Sequence, residues 1–372
     1  MHTLQRIQRF VFLVGIAGLV VIGGCSSGEG SPHEIPADSV IEYRFDDPPV
    51  RVFGGEHVLH PIKHVAFADT TVFIITLSPP FIHAFGPESY RTWGAKGRAP
   101  EEINSPRAVH VIGDQLVVLD FRYGRSKIMK YAPDATVPSF VSLAPYRRVE
   151  DIGVVEGVLV VSVSDGLGGE HALVRTDTMQ DTVLTFQGPS EVHLNAGSIR
   201  VTIGQPFGAR ALWTTTSAER LAYWPGQGRY VFMLDLQGRR TDSLRLPPDT
   251  IPINQEDRLA WIEEAFSPNA VVRGQRDPLR VLREQAFETL DFPDHFPLAM
   301  DLKPDPNGGI WVLRMRRQAR ETWMLLRKNA APVRIIFPPR RRVKAFGETY
   351  FAIKAVDEDG AQTVELYERE GI

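Results

Sequence analysis

A single cysteine, Cys25, stands in a chain of 372 residues, so no intrachain disulfide can form and any domain must be stable through its core alone. The apolar run Phe10–Ile22 is about thirteen residues long, short of the ~20 that a spanning helix needs. Charge of one sign is not in excess either: 42 basic residues face 45 acidic ones, for a formal charge of −3. Nucleic-acid binding would call for a clustered basic face, and the composition offers none. Beyond the first thirty residues there is no Gly-x-Ser-x-Gly elbow for serine chemistry. Gly166-Leu167-Gly168-Gly169 lacks the lysine and the strand-to-helix setting that cradle a phosphate.

What the N-terminus does have is the layout of a secretory leader. Arg6 and Arg9 precede the apolar run, and Gly23 and Gly24 lead into Cys25 and a polar tail. Ile22-Gly23-Gly24-Cys25 resembles the bacterial lipobox, whose cysteine is lipidated before cleavage ahead of it. The resemblance implies a signal peptide over 1–24, lipidation at Cys25 and a polar tether over 25–38. Several acyl chains would then hold the mature chain to the membrane. Loss of Arg6 and Arg9 moves the formal charge to −5. Ser26 stands where an aspartate would resemble the inner-membrane retention signal, which points to the outer membrane and the cell envelope.

From residue 39 to 372 the chain is long enough to bury a sizeable core, and its 31 glycines and 28 prolines are scattered as an all-β fold requires. Short β-branched and aromatic runs recur between Gly, Asp, Asn and Pro turns. The clearest unit, Arg107–Leu143, holds four runs of about five residues, the size of one propeller blade. Similar units run over 62–93, 149–186 and 298–337. A less regular one reaches Leu246, with either Ile199–Ile203 or Ala209–Thr214 as its inner strand. The last unit shows only three strands, Arg342–Phe346, Tyr350–Ala355 and Thr363–Tyr367. The lone strand Val40–Phe45 would supply the fourth, closing a ring of six blades and protecting the sheet edges.

The loop Trp93–Pro106, the turn Gly113-Asp114 with Leu116–Asp120, and Asn307-Gly308-Gly309-Ile310-Trp311-Val312 resemble the six-bladed propeller lipoproteins of bacteria, distant relatives of the NHL-repeat propellers. Glu101 replaces the glycine that the family's loop carries after its proline. The resemblance implies a six-bladed β-propeller closed by an N-terminal strand, and says little about ligand. Within it, 254–290 reads as a helical insertion. Asn254 is an N-cap, Leu259, Ile262 and Phe266 recur at helical spacing, and Pro278 opens a second helix carrying Leu279, Leu282, Ala286 and Leu290. Such an insertion either covers blade surface or acts as a lid over one mouth of the ring.

Candidate chemistry is sparse. His57, His60 and His64 lie close together, but Pro61 opposes a helix and no carboxylate pair follows, so they read as polar loop histidines. Asp120, Asp165 and Asp235 close or follow strands, where aspartates usually serve turns. Arg314, Arg316, Arg317 and Arg320, with Arg340-Arg341-Arg342, form either a solvated face or a surface for anionic polymer or lipid headgroups. Trp224, Trp311 and Trp323 sit inside strand runs and should pack between blades, whereas Trp93 and Trp261 could line a mouth and stack on a sugar or peptide. The expectation is a monomeric binding module for a protein, peptide or glycan, with Trp93, Arg98, Trp261, Arg316 and Arg341 as its surface and with neither metal nor cofactor. The alternative is a metal-dependent lactonase or lyase with ligands gathered in the central channel.

Overall fold

The computed structural model describes residues 40–44, 48–54, 61–122, 125–132, 135–144, 146, 148–164, 169–178, 181–188, 190–196, 199–266, 278–317 and 320–369. The leader, Cys25, the tether, His57, His60 and Asp165 lie outside them. Two short strands, β1 (Ile41–Arg44) and β2 (Arg51–Phe53), precede the first blade. That blade contains β3 (Ile62–Ala68), β4 (Thr71–Thr76), β5 (Ile82–Phe85) and β6 (Tyr90–Trp93). The second has β7 (Pro106–Ile112), β8 (Gln115–Arg122), β9 (Arg125–Tyr131) and β10 (Ser139–Ser142). The third has β11 (Val149–Val155), β12 (Val158–Ser164), β13 (Glu170–Arg175) and β14 (Thr182–Gln187). A separate hairpin follows, β15 (Glu191–Ala196) with β16 (Ile199–Gly204).

The fourth blade has β17 (Leu212–Thr215), β18 (Leu221–Trp224), β19 (Tyr230–Leu234) and β20 (Arg240–Arg245). Helices α1 (Gln255–Ala265) and α2 (Pro278–Thr289) come next. The fifth blade has β21 (Asp301–Pro304), β22 (Ile310–Arg317), β23 (Arg320–Leu326) and β24 (Val333–Ile336). The sixth has β25 (Arg341–Phe346), β26 (Tyr350–Val356) and β27 (Gln362–Glu368). In every blade the strands just given run antiparallel to their neighbours and in sequence order, six such sheets in all, which makes the ring a six-bladed propeller.

The core is a circle of six apolar clusters, one at each blade interface. Side-chain alternation explains it. On β22, Ile310 and Val312 pack with fourth-blade residues such as Trp224 and Leu244, while Trp311 and Leu313 pack with the sixth-blade residues Phe346 and Phe351. A strand covered on both faces must be apolar at every position, hence the continuous runs. Trp224, Trp311 and Trp323 are buried in these interfaces, as the sequence implies. The Trp311 indole stacks on the Phe346 ring at 4.4 Å between centroids.

Ring closure uses the N-terminus, but not the segment expected. The outer strand of the sixth blade is β2, whose Arg51, Val52 and Phe53 pair antiparallel with Leu366, Glu365 and Val364 of β27. Phe53 is buried and its ring lies 4.5 Å from that of Phe85 in the first blade. Strand β1 instead adds a fifth, parallel strand to the fifth blade, with Ile41 opposite Val333 and Tyr43 opposite Ile335. Ile41–Arg44, the described strand within the expected closing segment, therefore extends a complete sheet rather than completing an incomplete one. Of the two candidates for the fourth inner strand, 212–215 takes the position and 199–204 belongs to the hairpin.

The hairpin and both helices share one small core of Leu194, Ile262, Phe266, Leu282, Ala286, Leu290 and Phe292. Burying each large apolar side chain contributes ~1.5–3 kcal/mol, enough to hold the unit together. Asn254 caps α1 through a capping box, accepting from the Asp257 amide while the Asp257 carboxylate accepts from the Asn254 amide. Leu259 departs from the expected stripe: it is 45% exposed. Both the hairpin and the helices lie in connections from an outer strand to the next inner strand. Four antiparallel strands per blade place all such connections on one face of the ring.

Candidate functional site

Every inner strand contributes to one central channel of about 1330 Å³. Four of the six inner strands carry a β-bulge, and in each the extra residue is charged. Register skips Lys63 on β3, Arg107 on β7, Glu150 on β11 and Lys344 on β25. A bulge adds one residue on one strand and re-aims its side chain. All four charged residues border the channel. They sit in the part of the inner strands nearer the insertion-bearing face, apart from Lys344, which lies midway along β25. Farther along β3 and β7 the lining turns apolar, with Val65, Phe67, Val109 and Val111.

Lys344, Lys63 and Arg107 come from three consecutive blades, the sixth, first and second, and form a cationic arc. Each lysine reaches across to the next blade: Lys344 Nζ donates to the Lys63 carbonyl at 3.1 Å, and Lys63 Nζ donates to the Pro106 carbonyl. Arg107 is exposed and lies over the Phe121 ring at 5.0 Å. Among the described residues, no carboxylate lies within ion-pair distance of any of the three. The other wall is different. Glu150 pairs with Arg148 at 3.0 Å, Asp151 with His110 at 3.7 Å and Asp301 with Lys303 at 4.0 Å, around Trp213.

Burial, reinforced by Lys354, Lys303 and Arg342 and opposed by Glu321, brings the Lys344 amine down to about 8. Burial also lowers Lys63, with Arg107 adding to the effect and Asp120 opposing it. Between these lysines His64 has a buried Nε2 with no hydrogen-bond partner among the described residues. Its pKa is pushed down to about 3, by burial first and then by Lys63 and Lys344, with Asp151 opposing. His64 is thus a neutral channel-wall imidazole rather than the expected polar loop histidine.

A stability consequence follows from the sign of that shift. Between pH 6.5 and about 3 the unfolded chain binds a proton at His64 that the folded chain refuses. Folding therefore weakens as pH falls through this range, by up to about 3–5 kcal/mol from this group. His64→Gln should flatten the acid side of the stability profile measured by urea unfolding at stepped pH. An unchanged slope would refute the assignment.

The residues singled out from sequence are dispersed. Trp93 packs between the first two blades, 6.3 Å from Phe73 and 5.9 Å from Tyr131 by ring centroids. Arg98 is exposed in the loop that follows. Trp261 packs on Phe292 within the insertion, with centroids 6.0 Å apart. Arg341 is bound to Glu365 and Tyr367 at 2.6 and 3.1 Å. Arg316 pairs with Glu321 at 2.8 Å, and is the one of the five that borders the channel.

The arginine group is not one continuous face: Arg320 and Arg340 are exposed, whereas others are engaged within the protein. Arg314 is buried and pairs with Asp249 at 3.2 Å, and Arg317 pairs with Asp257 of α1 at 2.8 Å. Asp235 serves a turn as its strand-end position implies, whereas Asp120 lies within β8 and holds the distant loop that precedes β7. Asp120 accepts from the Asn104 and Ser105 amides at 2.9 and 2.7 Å, and Asp235 from the Gln237 and Arg239 amides at 3.0 and 2.9 Å.

Arg342 at the start of β25 connects channel and insertion. It borders the channel and pairs with Glu264 of α1 at 2.9 Å. With Arg317 holding Asp257, α1 is fastened beside the mouth by two ion pairs. The sequence shows both arginines but not their partners, which lie more than fifty residues away.

No family model matches the chain, and no curated protein matches it. Among solved structures it is similar to a Bacteroides fragilis protein described as exported, at 9% identity over 89% of this chain and 99% of that chain, with a TM-score of 0.48. It is similar to streptogramin B lyase at 10% identity over 86% and 87% of the two chains, with a TM-score of 0.41. The WD40 β-propeller domain of Doa1 gives 10% identity over 87% and 97%, with a TM-score of 0.36. These are likenesses of fold. The blade count rests on the strand order and register of this chain.

Proposed function

We propose that the protein is a lipid-anchored binding module of the cell envelope that takes a small anionic ligand on the cationic arc of its channel. The observation that carries the reading is the set of bulges that turns Lys344, Lys63 and Arg107 toward one lumen, with no carboxylate among the described residues within ion-pair distance. Cations held in a narrow, partly desolvated cleft attract an anion far more strongly than the same charges on open surface. The channel volume of about 1330 Å³ is ample for a small molecule. Anchoring rests on the leader and the lipobox-like context of Cys25. Among the described residues no helix is long and apolar enough to cross a membrane. Among them, no group of three or more His, Cys, Asp or Glu is placed to hold a metal ion.

Glu264 sits on the mouth cation Arg342, where an incoming anion would otherwise be drawn. Glu264→Gln should therefore tighten binding of inorganic pyrophosphate by about threefold to tenfold, measured by titration calorimetry at low salt. Raising ionic strength should weaken binding in both proteins. Binding that ignores both the salt and the Glu264 substitution would contradict an electrostatic channel site.

A further inference from the structure

We propose that Lys344 is a carbonyl-reactive amine that captures an aldehyde or ketone bearing an anionic group, holding it in the channel as an imine. The inference rests on the anion-binding reading and names the ligand class for the same site. Its first support is placement. The bulge at Lys344 sets the side chain on the channel wall, opposite a lumen large enough for a ligand. The second is the company it keeps. Its hydrogen bond goes to the Lys63 carbonyl, and among the described residues no carboxylate lies within ion-pair distance, although the charge of Glu321 acts from farther off to favour the ammonium form.

Desolvation and the neighbouring cations Lys354, Lys303 and Arg342 then favour the neutral amine, so a sizeable fraction carries a free lone pair just above neutral pH. An ordinary exposed lysine near 10.4 offers far less. Lys63 and Arg107 on the adjoining blades supply the charge that would hold the ligand's anionic group while its carbonyl meets Nζ.

The chemistry balances without a further reactant. The Nζ lone pair attacks the carbonyl carbon, and one amine proton passes to the oxygen to give a carbinolamine. The C–O bond then breaks, the second amine proton leaves, and imine and water are formed. The step is reversible, so a capture of this kind is also a release.

The test uses the full chain with glyoxylate and cyanoborohydride near neutral pH, followed by peptide mass mapping. Hydride reduces the imine to a stable carboxymethyl-lysine. The expected result is modification of Lys344 at least about tenfold faster than of exposed lysines such as Lys328. Excess pyrophosphate should suppress it, and acetaldehyde, which has no anionic group, should label far less.

Lys344→Arg, which keeps the charge but has no nucleophilic amine, should abolish the selective label. Labelling of Lys344 at the rate of surface lysines, or equal labelling by acetaldehyde, would overturn the proposal. Pyrophosphate binding with no capture would overturn it and leave the anion site standing. Absence of pyrophosphate binding would overturn both.

Discussion

Truncation through Gly54 is expected to unfold the propeller, whereas truncation through residue 47 leaves it folded. Both deletions remove the leader, the tether and β1. The longer one also removes β2, the outer strand of the sixth blade. It uncovers the edge of β27 and takes away Phe53, which is buried against Phe85. Removing a buried phenylalanine side chain alone costs about 3–5 kcal/mol, and the strand's hydrogen bonds add to that. Domain stabilities are only ~5–15 kcal/mol, so the loss is comparable to the whole. By contrast β1 flanks a sheet that is already four strands wide, and Ile41 is 47% exposed. Its loss should cost no more than about 1–3 kcal/mol. Circular-dichroism melts of the two truncations separate these outcomes. Equal melting temperatures would mean that the ring does not depend on β2.

The second large effect is expected at the arc. Lys63→Ala combined with Lys344→Ala should weaken pyrophosphate binding by about 100-fold, each partly buried cation contributing roughly 1.4 kcal/mol. The wild-type affinity should also fall as pH rises past about 8, because Lys344 then loses its proton and its charge. Stability moves the other way. From about 8 up to the ordinary lysine range the unfolded chain holds a proton at this position that the folded chain has released, so folding strengthens with rising pH. Opposite slopes for binding and stability in one protein would be hard to obtain from surface lysines. A double variant that is folded and still binds pyrophosphate as wild type does would remove the arc from the account.

Much of the fold can be read from the chain because blade interfaces impose a simple pattern. A strand such as β22, packed on both faces, must be apolar throughout, and the run Ile310–Leu313 shows it. Closure was harder to read. The segment 41–44 does form a strand, but partner choice is a tertiary matter, and it pairs parallel to β24. The true closing strand has three residues, of which Phe53 alone is buried, too little for any periodicity.

The site was less legible still. Lys63-His64 and Glu150-Asp151 put two polar residues in succession where an inner strand should alternate, and that is the local mark of a bulge. Their convergence has no local mark at all. Lys344 touches the Lys63 carbonyl across 281 positions of sequence. Only ring closure brings the first and last blades together.

The claim that the arc binds anions is tested most directly by anomalous diffraction from crystals soaked in selenate. The account predicts a selenium peak inside the channel, within hydrogen-bonding reach of Lys63, Lys344 or Arg107, that disappears in the Lys63→Ala, Lys344→Ala variant. Peaks confined to the outer surface, with the channel free of selenium, would contradict it.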